Sequence, residues 1–494
     1  MSPGFPLRRC ALPATMIGAV CPVRIDHPPA YDFRKMHPPT GEFPTMKPPI
    51  TRRTFLEQSG LATAGVAAGA TLLNPQPVRA EAANDVVVGL VGCGGMGRAD
   101  LRDFLKAPEV KVAALCDVDE ARIGEAMQDV EKARAATGSQ VEQVDHYKDF
   151  RELIDRKDID VVIVGTPDHW HAYVATAACA AYKDVYCEKP VSHNVVEGRA
   201  MVDAARKYNR VMQIGTQQRS GSHFQSAVDL VRSGTLGKIH VCRTWITSNV
   251  SPDGLGNPAD GDPPAGVDYD LWLGPAPERP FNVNRFHYQF RWFWDYGSGL
   301  TNDWGVHLND LILWGMDRIA PNSVQVTGGR YALHDNTDTP DTLEIVYDFG
   351  DFLHVYSVRR VCQNAGMHRT GHGMQFEGTN GILTLDRGGW YVTPEGSKDE
   401  PRTPAAKSGG SDQHLPHVLN FLECVKTRNQ PISDIEIAHR STTTCHLANI
   451  AYKVGRKINW DAEREICVRD YGAPDNEANA HLFREPRAPW KLAT

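Results

Sequence analysis

The eleven cysteines contain no C-x-x-C pair, and nine of them (Cys93, Cys116, Cys179, Cys187, Cys242, Cys362, Cys424, Cys445 and Cys467) fall after residue 82. An odd, scattered set, several of them in apolar runs, excludes a disulfide framework and reads as mostly buried, reduced thiols. Long basic runs are also missing and the formal net charge is −7, which argues against nucleic acid as a partner. No apolar run reaches the roughly 20 residues that a membrane-spanning helix needs. The candidate, Leu61 to Leu73, is short and rich in Gly and Ala. What remains is 494 residues, 41% of them hydrophobic, enough for two packed domains with sizeable cores.

Residues 1–50 are rich in proline and lack a regular period. Thr51-Arg52-Arg53-Thr54-Phe55-Leu56 follows, then the small-residue apolar run and cleavage candidates at Val78-Arg79-Ala80 and Ala80-Glu81-Ala82. This pattern resembles a twin-arginine export signal. The resemblance implies a leader over residues 1–82 and a periplasmic or otherwise exported mature protein. Met46 stands directly before the motif, so the first 45 residues are expected to precede the true start.

The mature chain is organised around Val86-Val87-Val88-Gly89-Leu90-Val91-Gly92-Cys93-Gly94-Gly95-Met96-Gly97. An apolar run ends in Gly-x-Gly-x-x-Gly, and a helical pattern follows. Gly92 permits a tight turn, Gly94 lets backbone approach a pyrophosphate, and Gly97 lets helix and strand pack closely. Free N–H groups at the helix start then favour the phosphates. A second apolar run, Val110 to Leu115, leads to Asp117, about 20 residues past the last glycine, where an acid is expected to bind the ribose hydroxyls. An acid there favours NAD; Arg122 keeps NADP open.

Strand and helix patterns alternate from here to Gly215, which predicts a parallel sheet with helices on both faces. Ligands in such sheets gather at the carboxyl ends of the strands. Gly92, Asp117, Thr166, Glu188-Lys189 and Gly215 all follow strands directly and are expected to converge. The glycine loop, Thr166-Pro167-x-x-x-His171 and Glu188-Lys189-Pro190 together resemble the glucose–fructose oxidoreductase / inositol dehydrogenase (Gfo/Idh/MocA) family. The resemblance covers roughly residues 85–460. It implies an α/β chain with an N-terminal Rossmann domain, residues 85–215, and an α+β C-terminal domain carrying a large, mostly antiparallel open sheet, residues 216–460.

The resemblance assigns cofactor binding to Gly92, Gly94, Gly95, Met96, Gly97, Asp117, Thr166, Pro167, His171, Glu188, Lys189 and Gln217. Asp303-x-x-x-His307 matches the family's second catalytic motif, so Lys189, Asp303 and His307 are the expected catalytic residues. The spacing of Asp303 and His307 places them on one helix face. Which of Lys189 and His307 is the base stays open. The family's Asn-Arg-Arg near Gly215 is replaced by Gly215-Thr216-Gln217-Gln218-Arg219, which leaves the substrate undefined. Trp292 and Trp294 read first as core residues and second as sugar-stacking rings.

Past Ser323 alternating apolar residues predict strands, then helices over Val418 to Val425 and Glu436 to Val454, and residues 461–494 read as a polar tail. By resemblance, the open sheet face mediates homo-oligomerisation. A zinc site at His169, His171 and His307 is disfavoured because no thiolate partner is placed nearby, so no metal is expected. The expected activity is hydride transfer between tightly bound NAD and a sugar, polyol or glycoside hydroxyl. Two alternatives are a hydrolase or lyase using bound NAD for transient oxidation, and a non-catalytic sugar-binding protein.

Overall fold

The computed structural model describes residues 85–137, 143–250, 253–363 and 370–493; the expected leader lies outside them. Six strands form the first sheet: β1 (Val86–Val91), β2 (Val110–Cys116), β3 (Asp145–Tyr147), β4 (Val161–Val164), β5 (Asp184–Cys187) and β6 (Met212–Ile214). Their order is β3-β2-β1-β4-β5-β6, with every neighbour parallel. Runs such as Val161-Val162-Ile163-Val164 are apolar at every position because both faces are covered, and all four residues are buried. The covering helices are α1 (Gly95–Phe104), α2 (Glu120–Thr137), α3 (Phe150–Ile154), α4 (Asp168–Ala180) and α5 (Val195–Lys207). Strand order reverses between β1 and β4, which opens the crevice where such sheets take ligands.

Helix α6 (Ser222–Arg232) leads into a ten-stranded sheet: β7 (Ile239–Thr247), β8 (Ser323–Gly329), β9 (Thr342–Asp348), β10 (Leu353–Arg359), β11 (His372–Gly378), β12 (Gly381–Asp386), β13 (Gly389–Pro394), β14 (Lys407–Gly409), β15 (Ile458–Asp461) and β16 (Ile466–Val468). The order is β14-β13-β12-β11-β7-β10-β9-β8-β15-β16. Its pairings are antiparallel except β7 with β10. Residues Gly373 to Leu385 fall in a hairpin of β11 and β12. One face is apolar: Leu343, Ile345 and Tyr347 of β9 are buried while Glu344 and Val346 between them are partly exposed. Short α7 (Tyr269–Leu273), α8 (Gly299–Asp303) and long α9 (Gly305–Met316) lie between β7 and β8.

The chain then crosses back. Helix α10 (His414–Thr427) places Val418, Phe421 and Leu422 in the same core as Leu90, Leu101, Phe104 and Tyr186 of the first sheet. Helix α11 (Ile435–Val454) begins in one core and ends in the other: Ile435 and Ala438 pack with the parallel sheet, Leu447, Ala448 and Ile450 with the antiparallel one. Twenty residues make it about 30 Å long, a strut that ties the two layers together. The boundary at residue 215 therefore separates two sheets but not two independent cores.

Residues 461–494 are not the expected polar tail. Cys467, Ala478 and Leu482 are buried in the second core, and α12 (Asn476–Asn479) is capped by Asp475, which accepts from the Ala478 N–H. Trp490 reaches the first domain, its ring centroid 4.7 Å from that of Trp170. The prolines and polar residues between these anchors hid them from periodicity.

Among the described cysteines all are free thiols, and all but Cys362 are buried.

Candidate functional site

The glycine loop has the geometry that its spacing requires. Gly92 has φ +92°, and a Cβ there would lie 2.5 Å from the backbone of Gly165 and Thr166. A Cβ on Gly97 would lie 2.0 Å from the Gly92 carbonyl oxygen. Gly94 and Gly95 have nothing within 4 Å of a built Cβ. Two positions are thus glycine because backbone crowds backbone, and two face open space that a bulky ligand can enter. Gly165, which the sequence reading left out of the site, closes the same packing from the other strand: a Cβ there would meet the Gly97 Cα at 2.5 Å.

That open space is a cavity of about 510 Å³, lined among others by Gly92, Gly94, Gly95, Met96, Asp117, Thr166, Pro167, Glu188, Lys189 and Asp303. Asp117 sits at its far end. Its carboxylate accepts the Cys93 N–H at 2.7 Å and the Asp119 N–H at 2.9 Å. Burial pushes its pKa up to about 6 against those two bonds. Arg122 also lines the cavity, with its guanidinium on Glu125. A cavity lined by a glycine turn, a helix N-terminus and the acid that follows β2 fits a dinucleotide.

At the other end Lys189 donates from Nζ to Asp303 Oδ1 at 2.7 Å and to the Asp303 carbonyl oxygen at 2.8 Å. Arg291, which the sequence reading missed, approaches the second carboxylate oxygen with Nε at 3.3 Å, and its guanidinium also stacks on Tyr288, 3.9 Å from the ring centre. Against its own burial, Arg291 and Lys189 hold the Asp303 carboxyl well below the usual carboxylate range. Asp168 lines the cavity beside them and behaves oppositely. Burial and the Asp303 charge push it up to about 8, so it carries a proton at neutral pH and can donate a hydrogen bond.

Asp303 and His307 do not share one helix. Asp303 ends α8, His307 belongs to α9, and Trp304 stands between. The Asp303 carbonyl, which a continuous helix offers to the residue four ahead, receives the Lys189 ammonium. His307 is buried, its Nδ1 has no partner among the described residues, and its ring packs edge-on to Trp304 at 5.9 Å. Burial, with Lys189 and Arg387 nearby, holds its pKa well below the ordinary histidine range, so it is neutral. It is not among the residues lining the nucleotide cavity.

Two other expected binding residues stand behind the cavity wall. His171 bridges two loops, with Nδ1 2.7 Å from the Pro190 carbonyl and Nε2 2.9 Å from that of Thr166. Gln217 donates to Glu188 Oε1 at 2.7 Å. Burial raises Glu188 to about 7 against the lowering effects of Lys189 and Gln217. A Cβ on Gly215 would lie 2.0 Å from Glu188 Oε1, which explains that glycine. Arg219 turns away to the buried Asp310 at 2.6 Å, anchoring the helix that carries His307. Trp292 is buried under the Arg360 guanidinium, and Lys453 lies over Trp294; neither ring lines the nucleotide cavity.

Fold and site together define a dinucleotide-binding α/β protein with a charged cluster at one end of its crevice. Residues 86–216 match the family model described as oxidoreductase family, NAD-binding Rossmann fold, and residues 231–356 and 408–492 match the oxidoreductase family's C-terminal alpha/beta domain. The chain belongs to the Gfo/Idh/MocA family of NAD-binding oxidoreductases. It is similar to myo-inositol 2-dehydrogenase of Thermotoga maritima, 31% identical over 163 residues, which are 33% of this chain and 44% of that protein. Similarity to the alpha-N-acetylgalactosaminidase of Shewanella oneidensis is 26% over 210 residues, 38% of this chain and 44% of that protein. The matched stretch thus spans less than half of these curated relatives. A levoglucosan dehydrogenase solved with NADH and levoglucosan shares the fold, with TM-score 0.58 and 17% identity over 76% of this chain and 99% of that one.

Proposed function

We propose that this protein oxidises a hydroxyl of a sugar, polyol or glycoside, with NAD as the hydride acceptor. The observation that carries the reading is the Lys189–Asp303–Arg291 cluster at the end of the cavity that begins at the glycine loop. When bound, the nicotinamide supplies the hydride-accepting carbon. Lys189, steadied by Asp303, donates a hydrogen bond to the substrate oxygen and disperses the negative charge that grows there. His307, neutral and with an unpaired ring nitrogen, takes the hydroxyl proton. Protonated Asp168 and ionised Asp303 offer a donor and an acceptor to neighbouring hydroxyls. Relatives named for inositol and levoglucosan dehydrogenation support the same reaction class.

Export through the twin-arginine leader belongs to this reading, with NAD carried out bound to the folded protein and reoxidised in place by a second substrate. Assembly of copies through the outer face of the ten-stranded sheet, where Val346, Val355 and Ile382 are partly exposed, belongs to it as well. Glycoside cleavage through transient oxidation is the second reading, favoured by the relative named alpha-N-acetylgalactosaminidase. By resemblance such hydrolases carry Tyr-x-x-His where this chain has Asp303-x-x-x-His307, which favours the dehydrogenase.

The test is to denature the purified protein, identify any released nucleotide, and then follow nicotinamide reduction with a panel of sugars and glycosides. Net reduction supports dehydrogenation. Cleavage of a glycoside without net reduction would replace it with the hydrolase reading.

A further inference from the structure

Trp304, at the joint between α8 and α9, is a platform for more than His307. The His372 ring, at the start of β11, lies 4.5 Å from it, and the Arg387 guanidinium lies 4.7 Å from its ring centre. Arg387 comes from the tight turn joining β12 to β13. The adjacent Asp386 carboxylate accepts the Gly388 N–H at 2.7 Å and forms no ion pair with Arg387. Other arginines around the site have carboxylates in contact: Arg291 has Asp303, and Arg219, which faces away, has Asp310. Arg387 has none. Its Nε is buried without a partner, and its guanidinium makes no ion pair among the described residues. His372 Nε2 and His307 Nδ1 are buried and unpartnered too.

A partly buried guanidinium with no ion-pair partner in contact is costly, and stacking on an indole offsets only part of that. Position says what completes it. Burial is the main cause that holds His307, His372 and His414 low, and Arg387 adds to it; burial lowers Arg387 as well, against the raising effect of the Glu188 carboxyl. Trp304 follows Asp303, the partner of Lys189, and packs against His307, so the guanidinium stacked on it stands at the same joint as those residues. A guanidinium offers parallel donors that match the oxygens of a carboxylate or a phosphate. A neutral sugar hydroxyl can accept from such donors but brings no negative charge to balance the guanidinium.

We propose that Arg387, stacked on Trp304 beside His307 and His372, forms a subsite for an anionic group, so that the substrate is a sugar acid or sugar phosphate. This rests on the dehydrogenase reading of the same site. The test compares glucuronate, galacturonate and glucose 6-phosphate with glucose and galactose on the NAD-loaded protein. Turnover and calorimetric binding are both measured for wild type, Arg387→Gln and Arg387→Lys, with NAD affinity as the check that each variant is folded. The expected result is that at least one anionic sugar exceeds its neutral parent in kcat/KM. Arg387→Gln should reduce that preference about 10–100-fold, as loss of a charge-assisted hydrogen-bonded pair does. Arg387→Lys, keeping charge without the fork, should recover part of it. The uronates against the phosphate decide which anion is meant. Turnover of neutral sugars at least as good as of all three anions, or an equal effect of Arg387→Gln on both classes, overturns the subsite and leaves the dehydrogenase reading standing. Arg387-dependent binding of an anionic sugar without nicotinamide reduction supports the subsite and removes the dehydrogenase reading instead.

Discussion

Lys189 Nζ donates to two oxygens of one residue, the Oδ1 and the backbone carbonyl of Asp303, at 2.7 and 2.8 Å. The contact joins the end of the parallel sheet to the joint between α8 and α9, 114 residues further along. It fixes a cation beside the nucleotide cavity, and Arg291 on the other carboxylate oxygen leaves Asp303 ionised throughout the working pH range.

Asp303→Asn keeps the size of the side chain and removes the charge that both cations face. Turnover should fall by roughly 10²–10⁴, the range for disrupted acid–base machinery, while NAD affinity changes only a few-fold. Steady-state kinetics with fluorescence titration of the nucleotide check this.

Asp168 gives a pH signature. Its carboxyl titrates at about 8 in the fold against 3.8 in the ordinary state, so the folded protein holds a proton that the unfolded chain releases. The stabilising effect of that proton is full below about pH 4 and is lost as pH rises towards 8. Asp168→Asn removes the titration. Its melting temperature relative to wild type should rise between pH 5 and pH 8, by at least about 2 °C, and a difference that does not vary with pH would contradict the assignment.

The loop glycines separate fold from ligand. Gly97→Ala forces a methyl against the Gly92 carbonyl oxygen and should cost about 1–3 kcal/mol in the nucleotide-free protein. Gly94, with φ −79° and open space around it, should accept alanine with the nucleotide-free melting temperature unchanged, yet bind NAD more weakly because the methyl occupies the approach to the phosphates. Thermal melts with and without NAD distinguish the two.

Trp490 packs on Trp170, which lines the nucleotide cavity, and lies under the Arg151 guanidinium at 5.0 Å. Trp490→Ala should destabilise by about 2–4 kcal/mol, less than the upper end for a fully buried ring. Chemical denaturation measures it; a change under about 0.5 kcal/mol would return residues 461–494 to the status of a tail.

Local signals carried much of this architecture. Gly92 and Gly97 are legible because their role depends on neighbours a few residues away, and β4 because burial on both faces makes every residue apolar. Lys189 and Asp303 were readable as members of two short motifs, but their contact was not. Arg291, Asp168 and Arg387 left no comparable trace. Arg291 is one charged residue in an aromatic-rich turn, Asp168 owes its proton to burial next to Asp303, and Arg387 reaches the site only because a hairpin turn folds over Trp304. The break at Trp304 was hidden because Asp303 and His307 have helical spacing across it. The carboxy-terminal anchors, Leu482 and Trp490, are isolated apolar residues without a period, so only tertiary packing reveals them.

The most direct test of hydride transfer uses a substrate deuterated at the reacting carbinol carbon, taken from the sugar panel, in a single turnover on the NAD-loaded protein. Mass spectrometry of the released nucleotide should find the deuterium on the nicotinamide, and Asp303→Asn should show that transfer slowed by the same factor as turnover. A nucleotide without deuterium, formed while substrate is consumed, would contradict the account.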